Sequence, residues 1–257
     1  MNLLTSENYF SPENQLKFMG ASQFKAFRNC EAAALSEVRG EWCREESTAL
    51  LVGSYVDAYF EGSLDVFSAK HPQIFKKDGT PKAEYIQAEA IISRINRDDM
   101  FVKFLSGEAQ KIMTGEIAGV PFKIKVDAYH QGKCIVDLKV MKDLLPIWDA
   151  TEGRKLPFVE AWGYDFQGAI YQEVCRQNTG DKLPFIIAAA TKQKVPRIKL
   201  MTIPQDRLDY CLDEVKSLAP HFDAIKREEE SPGRCDGCDF CADTEVLSGI
   251  IDYREAG

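Results

Sequence analysis

The middle of the chain alternates apolar and polar residues with a period of two, which is typical of β-strands. Three such runs follow one another, separated by Ala118-Gly119 and by Gln131-Gly132: KIMTGEI at 111–117, VPFKIKVDAYH at 120–130 and KCIVDLKV at 133–140. Short connections that contain glycine join antiparallel strands, because glycine readily adopts the backbone of a tight turn. We therefore predict a three-stranded antiparallel meander.

The flanking parts of the chain carry apolar residues at helical spacing. Before the meander, Ser22 is predicted to cap a helix over 24–38, and further helices are predicted over 47–62 and 81–105, the last as one helix or two. After the meander, the pattern predicts a helix at 158–178, strands at 183–192 and 197–204, and a long helix at 204–229. The first of these strands is apolar on both faces, so helices should cover both sides of the sheet in an α/β sandwich.

Chain length and composition favour one domain. With 257 residues and 45% apolar content, residues 1–257 can bury one large core, and we expect a single domain with peripheral helices. The chain has no run of 18 apolar residues, and MNLLTSENYF at its start lacks the basic-then-apolar order of a secretory signal. We therefore expect a cytoplasmic protein without a membrane partner.

The net charge of −8 argues against non-specific binding to nucleic acid, because neutralising phosphates needs concentrated lysine and arginine. A local basic groove is still compatible with this total. Five lysines fall around the second and third predicted strands: Lys123, Lys125, Lys133, Lys139 and Lys142.

The third predicted strand carries charged residues inside an apolar run. Asp137 and Lys139 lie on one face, and Asp127 is on the preceding strand, so the two carboxylates can approach each other near adjacent strand ends. Together with the backbone carbonyl of Leu138 they form an oxygen site suited to Mg²⁺ or Mn²⁺. Lys139 would hold or activate a water molecule and stabilise developing negative charge. The alternative is an ordinary Asp–Lys ion pair at a sheet end.

Two helical pairs extend this set of polar residues. Asp57 and Glu61 lie four residues apart, so they share a helix face, and either could complete the metal site; the alternative is a solvated helix face. Gln167 and Tyr171 are also four apart, on the helix that follows the third strand, which places an amide and a phenol beside that strand. The combination is more specific than either pair alone.

Taken in order, these residues resemble the PD-(D/E)XK nuclease superfamily, and within it the RecB-type and RecE-type exonucleases of phage recombination systems. That branch has a glycine-led helix with a metal-binding histidine, an aspartate in the second strand, D-x-K in the third and Q-x-x-x-Y on the next helix. Asp57 stands where the branch has histidine, and aspartate is the more natural Mg²⁺ ligand. The matching positions are Gly53, Asp57, Asp127, Asp137, Lys139, Gln167 and Tyr171.

The resemblance implies a restriction-endonuclease-like α/β fold, in which helices flank a mixed central sheet. It also implies a Mg²⁺-dependent exonuclease that acts on the ends of double-stranded DNA and leaves single strands for a single-strand annealing recombinase. By analogy, a ring-shaped homo-oligomer would suit processive digestion. The alternative is a non-catalytic metal-cluster protein that keeps the nuclease fold and binds DNA or assists assembly.

Eight cysteines in a chain expected to be cytoplasmic favour thiols or metal ligands over disulfides. Cys235, Cys238 and Cys241 form C-x₂-C-x₂-C, which resembles the first part of a bacterial ferredoxin ligand set. The resemblance to RecB-like nucleases with a cluster implies Cys30 as the fourth ligand, and Cys43 is its local competitor. We expect an iron–sulfur cluster of the 4Fe-4S type, with a structural Zn²⁺ as the alternative. Either centre would join the N-terminal helix to the C-terminal Cys-rich segment.

Overall fold

A computed structural model describes residues 4–43, 47–150, 152–247, 249–250 and 252 of the chain. The strands in this part of the chain are β1 Glu108–Ile117, β2 Val120–His130, β3 Cys134–Met141, β4 Ile147–Asp149, β5 Arg154–Leu156, β6 Phe185–Thr191 and β7 Ile198–Thr202. Five of them form the central sheet in the order β1-β2-β3-β6-β7. Strands β4 and β5 form a separate antiparallel hairpin that the alternation pattern did not predict.

The central sheet is mixed. Strands β1, β2 and β3 form the predicted antiparallel meander, β6 runs parallel to β3, and β7 runs antiparallel to β6. A parallel neighbour requires a crossover, because two parallel strands cannot be joined by a tight turn. The segment between β3 and β6 makes this crossover and contains the helix that carries Gln167 and Tyr171.

Helices occur both before and after the strand meander in the described part of the chain. The helices are α1 Pro12–Lys17, α2 Ala21–Asn29, α3 Glu31–Arg39, α4 Thr48–Phe60, α5 Leu64–Lys70, α6 Ala83–Asn96, α7 Asp99–Leu105, α8 Phe158–Ala161, α9 Tyr164–Thr179, α10 Gln205–Lys226 and α11 Asp239–Asp243, with a short 3₁₀ helix at Pro72–Ile74. None of them has the length and apolar character needed to cross a bilayer.

Helices cover both faces of the sheet, as the all-apolar strand predicted. On one face, α2, α3, α9 and α10 pack on a core that contains Ile124, Ile135 and Ile187. On the other face, α4, α6 and α7 pack on a second core that contains Val136 and Ala188. Strand β6 is buried along its whole length because it lies between these two cores.

Two predicted helices are interrupted. The helix expected over 24–38 breaks at Cys30, whose backbone is extended, so α2 ends at Asn29 and α3 starts afresh. The cap assigned to Ser22 is wrong: Gly20 is the N-cap, and Ser22 is an exposed residue of the first turn. The helix expected over 158–178 breaks at Gly163, which adopts φ +60°. Helical periodicity continues across both breaks, so the pattern did not reveal them.

Candidate active site

Strands β2 and β3 are hydrogen-bonded over only a short length. Their ladder ends where Ala128 lies opposite Val136. In β2, the residue just before Ala128 is Asp127, and its Oδ2 accepts a hydrogen bond from the Leu138 N–H at 2.8 Å. A side-chain carboxylate thus takes the place of a strand partner, and Asp127 and Asp137 lie within their strands, at the point where the sheet opens, rather than at the strand ends.

Both oxygens of the buried Asp137 carboxylate contact other side chains. Gln167, in the first turn of α9, donates from Nε2 to Oδ1 at 2.7 Å. The Nζ atom of Lys139 lies 2.5 Å from Oδ2. The Asp–Lys ion pair that sequence reasoning held as the alternative therefore exists, but it lies inside a cleft that the other candidate residues also line.

Helix α4 brings a further pair of carboxylates to the same place. Asp57 and Glu61 line a small cavity together with Asp127 and Leu138. Oδ1 of Asp57 is buried, and within the described residues it has no hydrogen-bond partner. Glu61 caps the C-terminal end of α4 and is exposed. A buried carboxylate oxygen without a partner is costly, and a bound cation is one group that could satisfy Oδ1 of Asp57.

Burial and neighbouring charges raise the pKa of two of the carboxylates, Asp127 and Asp57. Burial, followed by the charge of Asp137, raises the pKa of Asp127 to about 7. Burial and the charge of Asp127 raise the pKa of Asp57 well above its ordinary value. Burial alone would lower the pKa of Lys139, but Asp137 and Asp127 outweigh it and raise that pKa. Three carboxylates share one ammonium group, so a divalent cation fits both the charge and the oxygen donors of the site.

Tyr171 lies one turn after Gln167 on the same face of α9. Its hydroxyl donates a hydrogen bond to the backbone carbonyl of Lys125 at 3.1 Å, and its ring packs against Phe185 with centroids 5.8 Å apart. Tyr171 therefore ties α9 to β2 two residues before Asp127. Both contacts suit a residue that holds the site in shape, and Tyr171 also lines the cleft.

The carboxylates open into a cleft with a volume of about 1540 Å³. Exposed aromatic rings of Phe10 and Trp162 stand on its wall. Basic side chains with interleaved aromatic rings suit the phosphates and bases of nucleic acid. The lysines of the wall are Lys25, Lys70, Lys123, Lys125, Lys139, Lys142 and Lys192.

Four of the five lysines around the second and third strands line this cleft. Lys125, Lys139 and Lys142 line the cleft. Lys123 also lines it, but it is buried and donates to the backbone carbonyls of the N-terminal segment, at Tyr9 and Asn14. Lys133 is exposed in the β2–β3 turn, outside the cleft.

The protein family described as "PDDEXK-like domain of unknown function (DUF3799)" matches residues 20–244, which include all the candidate carboxylates as well as Lys139, Gln167 and Tyr171. The chain belongs to this family. The crystal structure of a "Putative exonuclease" from Eubacterium rectale shares 46% sequence identity with the chain at a TM-score of 0.95, covering 100% of this chain and 98% of that one. The match to the crystal structure of SSO0001 covers 77% of this chain and 84% of that one at 13% identity, with a TM-score of 0.27. Comparison with curated proteins gives no match.

Membership in this PDDEXK-like family and the whole-chain match confirm the predicted fold class and the resemblance on which it rested. The mixed five-stranded sheet with helices on both sides is the restriction-endonuclease-like arrangement expected from the motifs.

The PDDEXK-like chain also brings the four predicted cysteine ligands together. The sulfur atoms of Cys30, Cys235, Cys238 and Cys241 all lie within 4.8 Å of one another. Cys30 Sγ is 3.7 Å from Cys241 Sγ, and Cys235 Sγ is 4.0 Å from it. A hydrogen bond from the Gly237 N–H lowers the pKa of Cys235 to about 7. Four close thiols, one of them ready to ionise, fit a thiophilic metal. Cys43, the local competitor, is exposed and outside this group.

Protein contacts hold the cysteine segment against α3 as well. The Ala32 N–H donates to the Gly233 carbonyl at 3.0 Å, and the Gly233 N–H donates to Oε2 of Glu31 at 2.7 Å. His221 on α10 contacts the other oxygen of Glu31 through Nε2 at 2.8 Å. The break at Cys30 allows this arrangement, because it turns the cysteine out of the helix toward the C-terminal segment.

Sequence reasoning did not single out Lys25 or Tyr164, which line the cleft beside Lys139. The ammonium group of Lys139 lies 5.2 Å from the centroid of the Tyr164 ring. Both missed residues sit in stretches whose apolar spacing predicted only a helix. A lysine or tyrosine there carries no distinctive signal, because such residues are common on ordinary helix surfaces.

Proposed function

We propose that this protein is a Mg²⁺-dependent DNA exonuclease that hydrolyses phosphodiester bonds. The observation that carries the proposal is the convergence of Asp57, Asp127 and Asp137 beside Lys139, within a cleft lined by lysines and aromatic rings. PDDEXK-like family membership and the resemblance in fold and sequence to the Eubacterium rectale protein support it.

In this proposal, Asp57, Asp127 and Asp137 would hold Mg²⁺ or Mn²⁺, the Leu138 carbonyl would offer a further oxygen, and Glu61 stands at the exposed edge of the site. The bound ion would neutralise charge on a phosphoryl oxygen and lower the pKa of water. The orphaned Oδ1 of Asp57 and the raised pKa of Asp127 support a cation at this place.

Lys139 stays protonated at neutral pH, because the neighbouring carboxylates raise its pKa. It therefore acts as a hydrogen-bond donor and a positive charge, which holds water and stabilises charge that develops on the phosphate. Of the roles predicted for Lys139, its protonated state favours holding water and stabilising charge over activating the water by taking a proton from it. Gln167 keeps the Asp137 carboxylate in one orientation, and Tyr171 keeps α9 in place.

The resemblance to phage recombination exonucleases also suggests the biological role of the protein. An exonuclease of the phage recombination type would act on double-stranded DNA ends and supply single strands to an annealing recombinase. A ring-shaped homo-oligomer would keep it on its substrate, and its place of action would be the cytoplasm of a bacterial or phage-infected cell. The wide cleft, which suits a strand of nucleic acid, is consistent with this substrate.

We also propose that Cys30, Cys235, Cys238 and Cys241 bind one structural metal centre. Zinc–sulfur bonds of about 2.3 Å in a tetrahedron place the sulfurs roughly 3.8 Å apart, close to the 3.7 Å between Cys30 and Cys241 and the 4.0 Å between Cys235 and Cys241. A 4Fe-4S cluster holds its thiolates on four separate irons and so spreads them further. The sulfur spacing thus supports a single ion such as Zn²⁺, and the family resemblance supports the cluster.

The second candidate function is a non-catalytic DNA-binding or assembly protein with the same fold. The cleft and the cysteine centre are compatible with it. The presence of Asp127 beside the Asp137–Lys139 ion pair argues against it, because a buried ion pair beside further carboxylates is costly to keep without a task.

A nuclease assay on end-labelled linear duplex and on closed circular duplex, each with Mg²⁺ and with chelator, tests the proposal. We expect release of label from the linear substrate only, and only with Mg²⁺. Cleavage of the circular substrate would contradict the exonuclease assignment, and absence of cleavage on both would favour the non-catalytic alternative. A Lys139→Ala preparation controls for contaminating nuclease.

A further inference from the structure

Lys25 on α2 is held by three consecutive residues of the turn between α8 and α9. Its Nζ donates a hydrogen bond to the Trp162 carbonyl at 3.2 Å and lies 5.1 Å from the centroid of the Tyr164 ring. Between them, Gly163 faces the aliphatic stem of the lysine. The side chain thus lies in a cradle, with its charged end at the cleft wall.

Gly163 is suited to this cradle in two ways. Its φ of +60° is a conformation that residues with a Cβ rarely adopt. A Cβ at this position would also stand 2.8 Å from Cδ of Lys25, too close for a non-bonded contact. The turn therefore leaves the space that the stem of Lys25 occupies.

Lys25 shares the Tyr164 ring with Lys139. The two ammonium groups lie 5.1 and 5.2 Å from the same ring centroid, so both cations stand at one end of the cleft. Burial, followed by repulsion from Lys139, lowers the pKa of Lys25 to about 8, and the charges of Asp137 and Asp165 offset this only in part. Nearby Asp165 is already paired with Arg207, with N–O distances of 2.6 and 2.8 Å. An anion in the cleft would relieve the repulsion between the two lysines.

The hydrogen bonding of Lys25 also leaves donors for a ligand. An ammonium group has three N–H donors, and among the described residues Lys25 has one acceptor, the Trp162 carbonyl. The buried Lys123 differs, because it donates to two backbone carbonyls and is closed off from solvent. Lys123 serves to hold the chain together, whereas Lys25 keeps donor capacity at the wall.

We propose that Lys25 binds a backbone phosphate of the DNA strand in the cleft, next to the phosphate that Lys139 contacts, and that the Trp162–Tyr164 turn positions it. This inference rests on the proposed function, since it assumes that DNA is the substrate. It adds a substrate-binding residue from α2, an element that carries none of the candidate carboxylates.

Fluorescence anisotropy on a labelled duplex, with Ca²⁺ in place of Mg²⁺ to suppress cleavage and with salt varied from low to high, tests this role. We expect Lys25→Ala to weaken binding about tenfold at 0.1 M salt and to reduce the slope of log K against log salt by about 1. Lys25→Arg should restore most of the affinity. Lys216→Ala is the matched control, because Lys216 is an exposed lysine on α10, paired with Asp213 and outside the cleft.

Gly163→Ala is a second variant, which displaces the ammonium group of Lys25 without removing it. The added Cβ should displace the lysine stem and reproduce much of the binding loss, while Mg²⁺ binding by calorimetry stays unchanged. In steady-state cleavage, Lys25→Ala should raise KM more than it lowers kcat, because it removes a contact to a phosphate that does not react. If Lys25→Ala proves too unstable to purify, Lys25→Met keeps the packing of the stem and replaces it.

The inference is overturned if Lys25→Ala and Lys25→Met match Lys216→Ala in affinity and in salt slope. Wild-type protein that binds duplex without cleaving it contradicts the proposed nuclease activity, while the Lys25 comparison still decides this inference. Wild-type protein that fails to bind duplex at low salt overturns both.

Discussion

Gln167 donates a hydrogen bond from Nε2 to Oδ1 of Asp137 at 2.7 Å, from the first turn of α9 to the middle of β3. Lys139 contacts the other oxygen of the same carboxylate. The two contacts together fix the plane of the Asp137 carboxylate in a buried place, where an amide is one of few groups that can do so without adding charge. Gln167 is therefore a positioning residue for Asp137.

Gln167→Ala should lower kcat about 10- to 100-fold, because the Asp137 carboxylate loses the donor that orients it. The apparent Mg²⁺ affinity should fall in the same variant. Gln172→Ala is the control: Gln172 is a buried glutamine of the same helix that bonds to Leu183 and Gln205, away from the cleft, so its loss should lower stability but leave kcat per folded molecule unchanged. Equal kinetics of the two variants would reduce Gln167 to a packing residue.

Lys139→Ala should lower kcat by about 10²- to 10³-fold with a small effect on duplex affinity, because the lost charge acts on the transition state more than on bound DNA. Single-turnover cleavage and anisotropy measure the two quantities separately. Lys142→Ala serves as the comparison, since it removes a lysine from the rim of the same cleft and should affect mainly affinity. Full activity of Lys139→Ala would contradict the assignment of this cluster as the active site.

Asp57→Asn should weaken Mg²⁺ binding at least about tenfold, because it removes a ligand charge. The same change should raise the melting temperature in chelator at pH 8. The folded-state pKa of Asp57 lies above its unfolded value, so the stability linked to this group is present at low pH and is lost as pH rises through the folded pKa. The asparagine avoids that loss.

Calorimetry and thermal unfolding at pH 5 and pH 8, with chelator and with Mg²⁺, check this prediction. The stabilising effect of Asp57→Asn should shrink at pH 5, and Mg²⁺ should raise the melting temperature of the wild type more than that of the variant. Glu61→Gln, an exposed acid at the end of the same helix, is the control and should change stability little. Unchanged Mg²⁺ affinity in Asp57→Asn would exclude Asp57 as a ligand.

Cys30→Ser should release the metal of the thiolate centre and lower the melting temperature, because metal binding at such a site contributes to folding. Elemental analysis and visible absorption of anaerobically purified protein identify the centre. One zinc per chain and no colour indicate a single ion; iron with sulfide and broad absorption near roughly 400 nm, from thiolate-to-iron charge transfer, indicate a cluster. Cys43→Ser should keep the full metal content, and metal loss in that variant would point to Cys43 as the fourth ligand.

His221 should stabilise the docking of the cysteine segment in a pH-dependent way. Its hydrogen bond to Glu31, and a second one to Glu230, raise its pKa in the folded state. The stabilisation is therefore complete below the unfolded pKa of His and is lost as pH rises through the folded pKa. His221→Gln should lower the melting temperature by a few degrees at pH 5.5 and by less at pH 9, with the pH 5.5 effect reduced at high salt because the site is partly exposed. Glu31→Gln should weaken the same pH dependence, because only the contact with Glu230 then remains, and a pH-independent effect of His221→Gln would contradict this explanation.

The sequence determined the elements that depend on local periodicity and turn chemistry. The strand meander, the long C-terminal helix and the opposite faces of Asp137 and Leu138 all follow from residues that are near one another in the chain. For the same reason, Asp137 and Lys139 could be predicted to share a strand face, and Gln167 and Tyr171 to share a helix face. In a strand or a helix, the spacing of residues along the chain determines which side chains share a face, so a few residues are enough to predict it.

Only the tertiary structure decided which of these neighbours meet. Asp57 reaches Asp127 because α4 packs on the second face of the sheet, and Lys25 reaches Tyr164 because α2 crosses the turn at Gly163. Periodicity says which face of an element is apolar, but not which partner that face will contact. The breaks at Cys30 and Gly163 follow the same logic, since the helical pattern runs on through both. Contacts with distant parts of the chain, to the C-terminal cysteines in one case and to the stem of Lys25 in the other, accompany the local departure from the helix.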